Sequence, residues 1–191
     1  NIFSKLLDPN RKEIERIQKT VEIINSLEQE VKNLKTEGFA KKTLEFKKRL
    51  ENGATLEGIL PEAFALVREA SWRAVGLRQH DVQLIAGVAL FERKIAEQKT
   101  GEGKTLSAVA PLYLRSLTGR GVQLVTVNDY LARRDAGWNG PTFSLLGLTV
   151  ASIIQEGKSL LYDPEYKDDS YGDERLAHLK PVTRKEAYLA D

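Results

Sequence analysis

The chain contains no cysteine. Disulfides, thiolate metal sites and cysteine nucleophiles are therefore excluded at the outset. Methionine is also absent, so the sequence has no initiator and reads as processed or as a piece of something longer. A dominant charge is missing too: Lys+Arg 29 against Asp+Glu 27 leaves a formal net charge of +2 over 191 residues. That balance does not argue for nucleic acid on charge alone. No run reaches the ~18 apolar residues that would span a bilayer, and the opening segment up to Leu7 is too short for a signal-peptide core. What is present is ordinary: hydrophobic residues make up 41% and charged residues 29%, as in a soluble, cytosol-compatible globular protein with a sizeable core. At roughly 150 residues per domain, the length allows about one domain and part of another.

The first third reads as helices. From Asn10 to Leu34 the apolar residues Ile14, Ile17, Val21, Ile24, Leu27, Val31 and Leu34 recur at steps of three and four. This is the stripe of an amphipathic helix, with Lys, Glu and Arg on the other face. Asp8-Pro9 fits an N-cap followed by proline at the first helical position. A second helix is expected over Thr36–Leu50, ending at Glu51-Asn52-Gly53, and a third from Leu60-Pro61 to just before Gly76. Cations exceed anions in this part of the chain, which reads first as a solvated helical face. Ile2, Phe3, Leu6 and Leu7 beside Lys5, Arg11 and Lys12 also match a short amphipathic end that can lie on an anionic membrane surface.

After Gly87 the texture changes to short apolar runs between turns and helical stretches. Val88–Phe91, Lys94–Glu97, Gly121–Val127 and Gly147–Ile154 read as strands, and Leu106–Leu117 and Asp129–Leu146 as helices. Strands alternating with helices of this length predict an α/β fold with a parallel sheet. The polar stretch from Glu156 to Lys180 reads as a surface insertion. Its acidic residues do not make a calcium loop, because no bidentate glutamate follows at the required spacing.

One motif carries chemistry: Gln98-Lys99-Thr100-Gly101-Glu102-Gly103-Lys104-Thr105. Between an expected strand and an expected helix, Gly101 and Gly103 allow backbone N–H groups to turn around an anion. The helix N-terminus adds partial positive charge. Lys104 can reach the β- and γ-phosphates of a nucleotide, and the Thr105 hydroxyl is a natural Mg²⁺ ligand. Gln98 stands where the usual phosphate-loop pattern has its first glycine, and Leu106 excludes a dinucleotide fingerprint. Hydrolysis needs a further carboxylate on a second strand. Asp129 and Glu156 lie at expected strand ends, but neither completes a catalytic acidic pair. His80 and His178 have no partners at metal spacing. The catalytic set is therefore incomplete.

Several long stretches resemble the SecA family of bacterial preprotein translocase motors. They are Leu60–Ala70, Asp81–Ile85, Lys94–Leu106, Leu117–Val122, Val125–Asp135, Leu145–Val150 and Arg184–Asp191. The resemblance runs from the N-terminal helix to the last residue. It implies an N-terminal helical segment (residues 1–76) followed by the start of a RecA-like nucleotide-binding lobe of the helicase superfamily 2 type (77–191). It also implies that the family's Mg²⁺-binding acidic motif and second ATPase lobe lie beyond Asp191.

The implied ligands are ATP and Mg²⁺. Gly101 through Thr105, with Thr100 beside them, match the phosphate-binding stretch, including Glu102. The adenine-side motif falls on Leu77 to Gln83, where Gln83 would read the adenine edge because an amide donates and accepts at once. Leu77 stands where the family usually has Met and would pack against the base. His80 stands where it usually has Phe, and imidazole stacks less than a phenyl ring. The implied partners are the SecYEG channel, unfolded preproteins, anionic lipid at the N-terminal helix and a second copy, at the cytoplasmic face of the plasma membrane. No specific nucleic acid is implied. Two other readings stay open at this point. A nucleic-acid helicase would share the phosphate loop and show steep salt-dependent binding. A non-catalytic nucleotide-binding module would bind without turnover.

Overall fold

The computed structural model describes residues 9–155 and 158–191. Asp8 and the apolar residues Ile2, Phe3, Leu6 and Leu7, like Glu156, lie outside the described residues. Helix α1 spans Pro9–Ser26 and buries Ile17, Val21 and Ile24. The stripe expected to run on to Leu34 breaks at Leu27, and α2 (Glu28–Lys32) continues it with Val31 buried. Helix α3 (Thr36–Glu51) buries Phe39, Thr43 and Phe46.

Helix α4 (Leu56–Val75) is the centre of the fold. It begins one turn earlier than expected, because Thr55 caps it by accepting a hydrogen bond from Gly58 N at 3.1 Å. Pro61 therefore lies inside the helix. Gly76, at φ 70°, ends it in the left-handed conformation that glycine adopts without strain. Helices α1, α2 and α3 pack on α4, as do α6 (Lys104–Ser116) and α7 (Asp129–Leu145). Being covered by these five helices explains why the middle turns of α4, Ala63 to Ser71, are buried throughout. Its Ile59, Phe64, Leu66 and Val67 are buried in one core with Ile17 of α1, Phe46 of α3, Leu114 of α6 and Phe143 of α7.

Helix α5 (Asp81–Phe91) corrects the sequence reading. Val88–Phe91, expected as a strand, forms its last turn. A short apolar run without polar interruption does not distinguish a strand from a helix buried on several sides. Leu84, Ala86, Gly87, Val88 and Phe91 are all buried. Gly87 lies against α6, where a Cβ would sit 3.0 Å from the Ser107 carbonyl.

The sheet also differs from the expectation. Its three strands are β1 (Ala151–Ile153), β2 (Ser159–Tyr162) and β3 (Leu179–Val182), in the order β1-β2-β3, with both pairings antiparallel. Ser152 faces Leu160, and Leu160 faces Pro181 on the outer strand β3, where a residue without an N–H is tolerated. Only the end of the expected Gly147–Ile154 strand is strand. Within the stretch read as a plain surface insertion, β2 and β3 form a hairpin around a short 3₁₀ turn (Asp169–Tyr171).

Neither Lys94–Glu97 nor Gly121–Val127 belongs to a strand, since neither has a neighbour to pair with among the described residues. Ile95 is 99% exposed, Val125 89% and Val127 87%. These β-branched side chains have nothing to pack on. The 121–127 segment borders an open groove of about 590 Å³, lined also by Val109, Leu112, Leu148 and Val150.

The hairpin docks on α7 at two glycines. A Cβ on Gly137 would meet the Arg175 carbonyl oxygen at 2.4 Å, and one on Gly140 would meet the Tyr162 ring at 2.3 Å. Ala136, Leu160 and Leu179 form a small apolar cluster there. The chain closes with α8 (Arg184–Ala187), capped by Thr183 and Glu186. No helix among the described residues is long and apolar enough to cross a membrane.

Candidate nucleotide-binding site

The glycine-rich loop joins the end of α5 to the start of α6. Gly101 and Gly103 adopt φ 89° and 80°, left-handed values that cost an L side chain roughly 1–2 kcal/mol. At Gly103 the cost is steric as well: a Cβ would lie 2.4 Å from Gln83 Nε2. At Gly101 the same position faces open space. The helix begins at Lys104, two residues before the expected Leu106.

The loop is folded on itself. The Glu102 carboxylate accepts from Lys99 N at 2.7 Å, and Glu102 N donates to Lys99 O at 3.2 Å. The exposed Lys104 ammonium donates to the same Lys99 carbonyl at 3.0 Å. The backbone N–H groups of Gly101, Gly103, Lys104 and Thr105 have no protein acceptor among the described residues. Free amides at a helix start beside a lysine can coordinate a phosphate. The loop therefore fits a nucleotide's phosphates.

Gln83, 7% exposed, ties the segment before α5 to this loop. Its Nε2 donates to Glu102 O at 2.9 Å, and its Oε1 accepts from His80 N at 2.9 Å. Leu77 and His80 lie exposed on the preceding segment. That segment is pinned from beneath. Ser71 Oγ donates to Leu77 O at 2.6 Å, and Arg68 Nε donates to Gln79 O at 2.8 Å. Arg68 also reaches Asn25 Oδ1, and Asp81 Oδ1 at 3.0 Å. Burial, then the neighbouring Arg78, pushes the Arg68 guanidinium below its ordinary range, and the Asp81 carboxylate pulls the other way. The sequence reading missed Arg68. The available signal was a cation standing among the apolar positions of α4.

A further cation was also missed. Arg134 of α7 points Nη2 at Thr105 Oγ1 from 3.4 Å. Of the other candidates, Asp129 accepts from Gln155 N at 3.0 Å and so caps the end of β1. His178 Nδ1 lies 2.7 Å from the Tyr166 carbonyl, inside the hairpin. Among the described residues, no group of three or more histidines and carboxylates could hold a metal.

The SecA DEAD-like domain model matches residues 2–191. The chain belongs to the SecA DEAD-like domain family. A protein translocase subunit SecA of Chloroflexus aggregans is 56% identical over the whole chain, which covers 20% of that relative. A SecA of Thermodesulfovibrio yellowstonii is 51% identical over 95% of the chain and 20% of the relative. One of Carboxydothermus hydrogenoformans is 48% identical over 98% and 23%. The chain thus spans about a fifth of the length of these SecA relatives, and membership implies a helicase-type fold.

Proposed function

We propose that this chain supplies the first part of the ATP site of a SecA-type motor that drives preprotein export. The observation that carries the reading is the loop itself: the amides of Gly101, Gly103, Lys104 and Thr105, without a protein acceptor among the described residues, stand at the start of α6 with a lysine resting on a loop carbonyl. In this reading the amides and Lys104 hold the phosphates, and Thr105 Oγ1 is the protein ligand of the nucleotide's Mg²⁺. Leu77 and His80 border the base.

Gln83 can read the adenine edge without releasing its present partners. Its amide keeps one N–H and one lone pair beyond those used on Glu102 O and His80 N. The amide then links base and phosphate loop.

Residues 1–76 form the helical segment in this reading, and residues 77–191 the beginning of a RecA-like lobe. Its parallel sheet would form when 94–97 and 121–127 pair with strands of a longer protein, filling the groove beside Val125 and Val127. That pairing is supported by the exposure of those side chains and by the greater length of the relatives. The SecYEG channel, unfolded preproteins, anionic lipid at the N-terminal helix and a second copy are the proposed partners, at the cytoplasmic face of the membrane. Hydrolysis requires an acidic pair and arginines supplied by the rest of such a protein. The chain alone would bind ATP with negligible turnover.

Lys104→Ala tests the reading. The side chain is exposed and bonds only the Lys99 carbonyl, so its loss should leave stability unchanged and weaken ATP binding at least about tenfold. A collapse of the melting temperature with no loss of nucleotide affinity would overturn it.

A further inference from the structure

Arg134 lies on α7, facing the start of α6. Its Nε and Nη2 donate to a single Asp135 oxygen at 2.9 and 2.7 Å. Nη2 also lies 3.4 Å from Thr105 Oγ1, across the gap between α7 and α6. Nη1 has no acceptor among the described residues. The guanidinium lies 5.3 Å from the Trp138 ring and 6.0 Å from the Tyr130 ring. Its side chain is 25% exposed and that of Asp135 11%. A planar cation is thus oriented by one carboxylate and two rings, with part of its donor fork unused, beside the hydroxyl assigned to the metal.

We infer that Arg134 is a second phosphate-binding cation, which takes the terminal phosphate of a nucleoside triphosphate and lets the site distinguish triphosphate from diphosphate. The inference rests on the nucleotide reading of the loop. Lys104 approaches the phosphates from the loop side, where it now bonds the Lys99 carbonyl. Arg134 approaches from α7, on the side of the Thr105 hydroxyl. With a nucleotide's Mg²⁺ held by that hydroxyl, the Arg134 guanidinium beside it would be drawn to the phosphate oxygens and away from the metal. A fork with free N–H groups suits that exchange, because guanidinium matches phosphate bidentately. Asp135, 2.7 Å away, balances the charge of the same cation.

The test uses the full-length protein that contains this chain and fluorescent ATP and ADP analogues with Mg²⁺. Arg134→Gln should weaken the triphosphate analogue ten- to a hundredfold and the diphosphate analogue less than threefold. Equal weakening of both, or of neither, overturns the inference. Lys104→Ala run beside it separates the two ideas. If it loses both nucleotides while Arg134→Gln changes nothing, the nucleotide reading stands and the Arg134 inference fails. If neither variant affects binding, both fail. A measurement on the unmodified protein covers the case in which Arg134→Gln does not fold. Mass-spectrometric mapping of phenylglyoxal modification should show Arg134 protected by a non-hydrolysable ATP analogue with Mg²⁺ and not by ADP. Equal protection by the two, or none, overturns the inference.

Discussion

Replacing Arg68 with methionine keeps the aliphatic stem and removes the guanidinium that pins the Leu77–His80 segment. Two effects oppose one another. The buried charge no longer has to be desolvated, which favours the variant. Gln79 O, Asn25 Oδ1 and Asp81 Oδ1 lose their donor, which disfavours it. Hydrogen bonds from a charged donor contribute about 1.5–3 kcal/mol each where the partner is shielded from water. The Arg68 side chain is 6% exposed and that of Asp81 56%, so the Asp81 arm adds no more than about 1 kcal/mol. Gln79 O and Asn25 Oδ1 set the scale, and after the recovered desolvation the net loss is about 2–3 kcal/mol.

At 1.4 kcal/mol per tenfold, local opening should become about 30- to 150-fold more frequent. Amide hydrogen exchange at Gln83 and Leu84 reads this directly, because both donate to the His80 carbonyl, at 2.9 and 3.1 Å. Arg78→Ala is the matched control. Its pair with Glu28 is 2.7 Å long but 34% and 29% exposed, in the range worth about 0–1 kcal/mol. Exchange in Arg68→Met less than about fivefold faster than in the parent would refute the reasoning.

Three other outcomes are expected. The carboxyl of Glu13 is held at about 2, below its ordinary 4.5, by hydrogen bonds from Arg16 and Lys94. Its hold on the junction between α1 and the segment after α5 is therefore complete above about pH 4.5 and lost as pH falls to about 2. Carboxyl NMR should give that low midpoint and a rise towards 4.5 in Lys94→Ala; a midpoint near 4.5 in the parent protein would contradict it. Gly140→Ala drives a methyl into the Tyr162 ring, costing about 1–3 kcal/mol. Proteolysis between Asp163 and Arg175 should accelerate, and unchanged cleavage would count against the docking described. Thr43→Val leaves the buried Tyr113 hydroxyl without its 2.8 Å partner and should cost about 1–3 kcal/mol by denaturant unfolding, whereas adding Tyr113→Phe should recover most of the loss. Failure of the double variant to recover would sink that pairing.

Helices α1 and α3 were legible because one face of each is buried, so Ile17, Val21 and Ile24, or Phe39, Thr43 and Phe46, announce themselves by spacing. The glycine-rich loop was legible because positive φ at Gly101 and Gly103 needs glycine. Strands were harder. Val88–Phe91 has no period to read, since α5 is apolar on several faces. The β2–β3 hairpin was hidden because four-residue strands flank a polar loop long enough to dominate the stretch. Gly121–Val127 carries strand composition, but strand identity depends on a neighbour as well as on sequence. Arg68 and Arg134 escaped because a cation on a helix normally lies on its wet face. Tertiary contacts across α1, α4 and α5, and across α6 and α7, turn them inward.

The uncovered 121–127 segment has a consequence for the protein's solubility. A β-branched run whose N–H and C=O groups face no partner is a template for any other copy of itself, and stacking copies is how cross-β aggregates begin. Val122, Val125 and Val127 supply such a template. Arg120 and Asp129 flank it as charged gatekeepers. Concentrated solutions of the chain by itself should therefore self-associate through this segment, and a lysine at Val125 should suppress the association without disturbing the helical core.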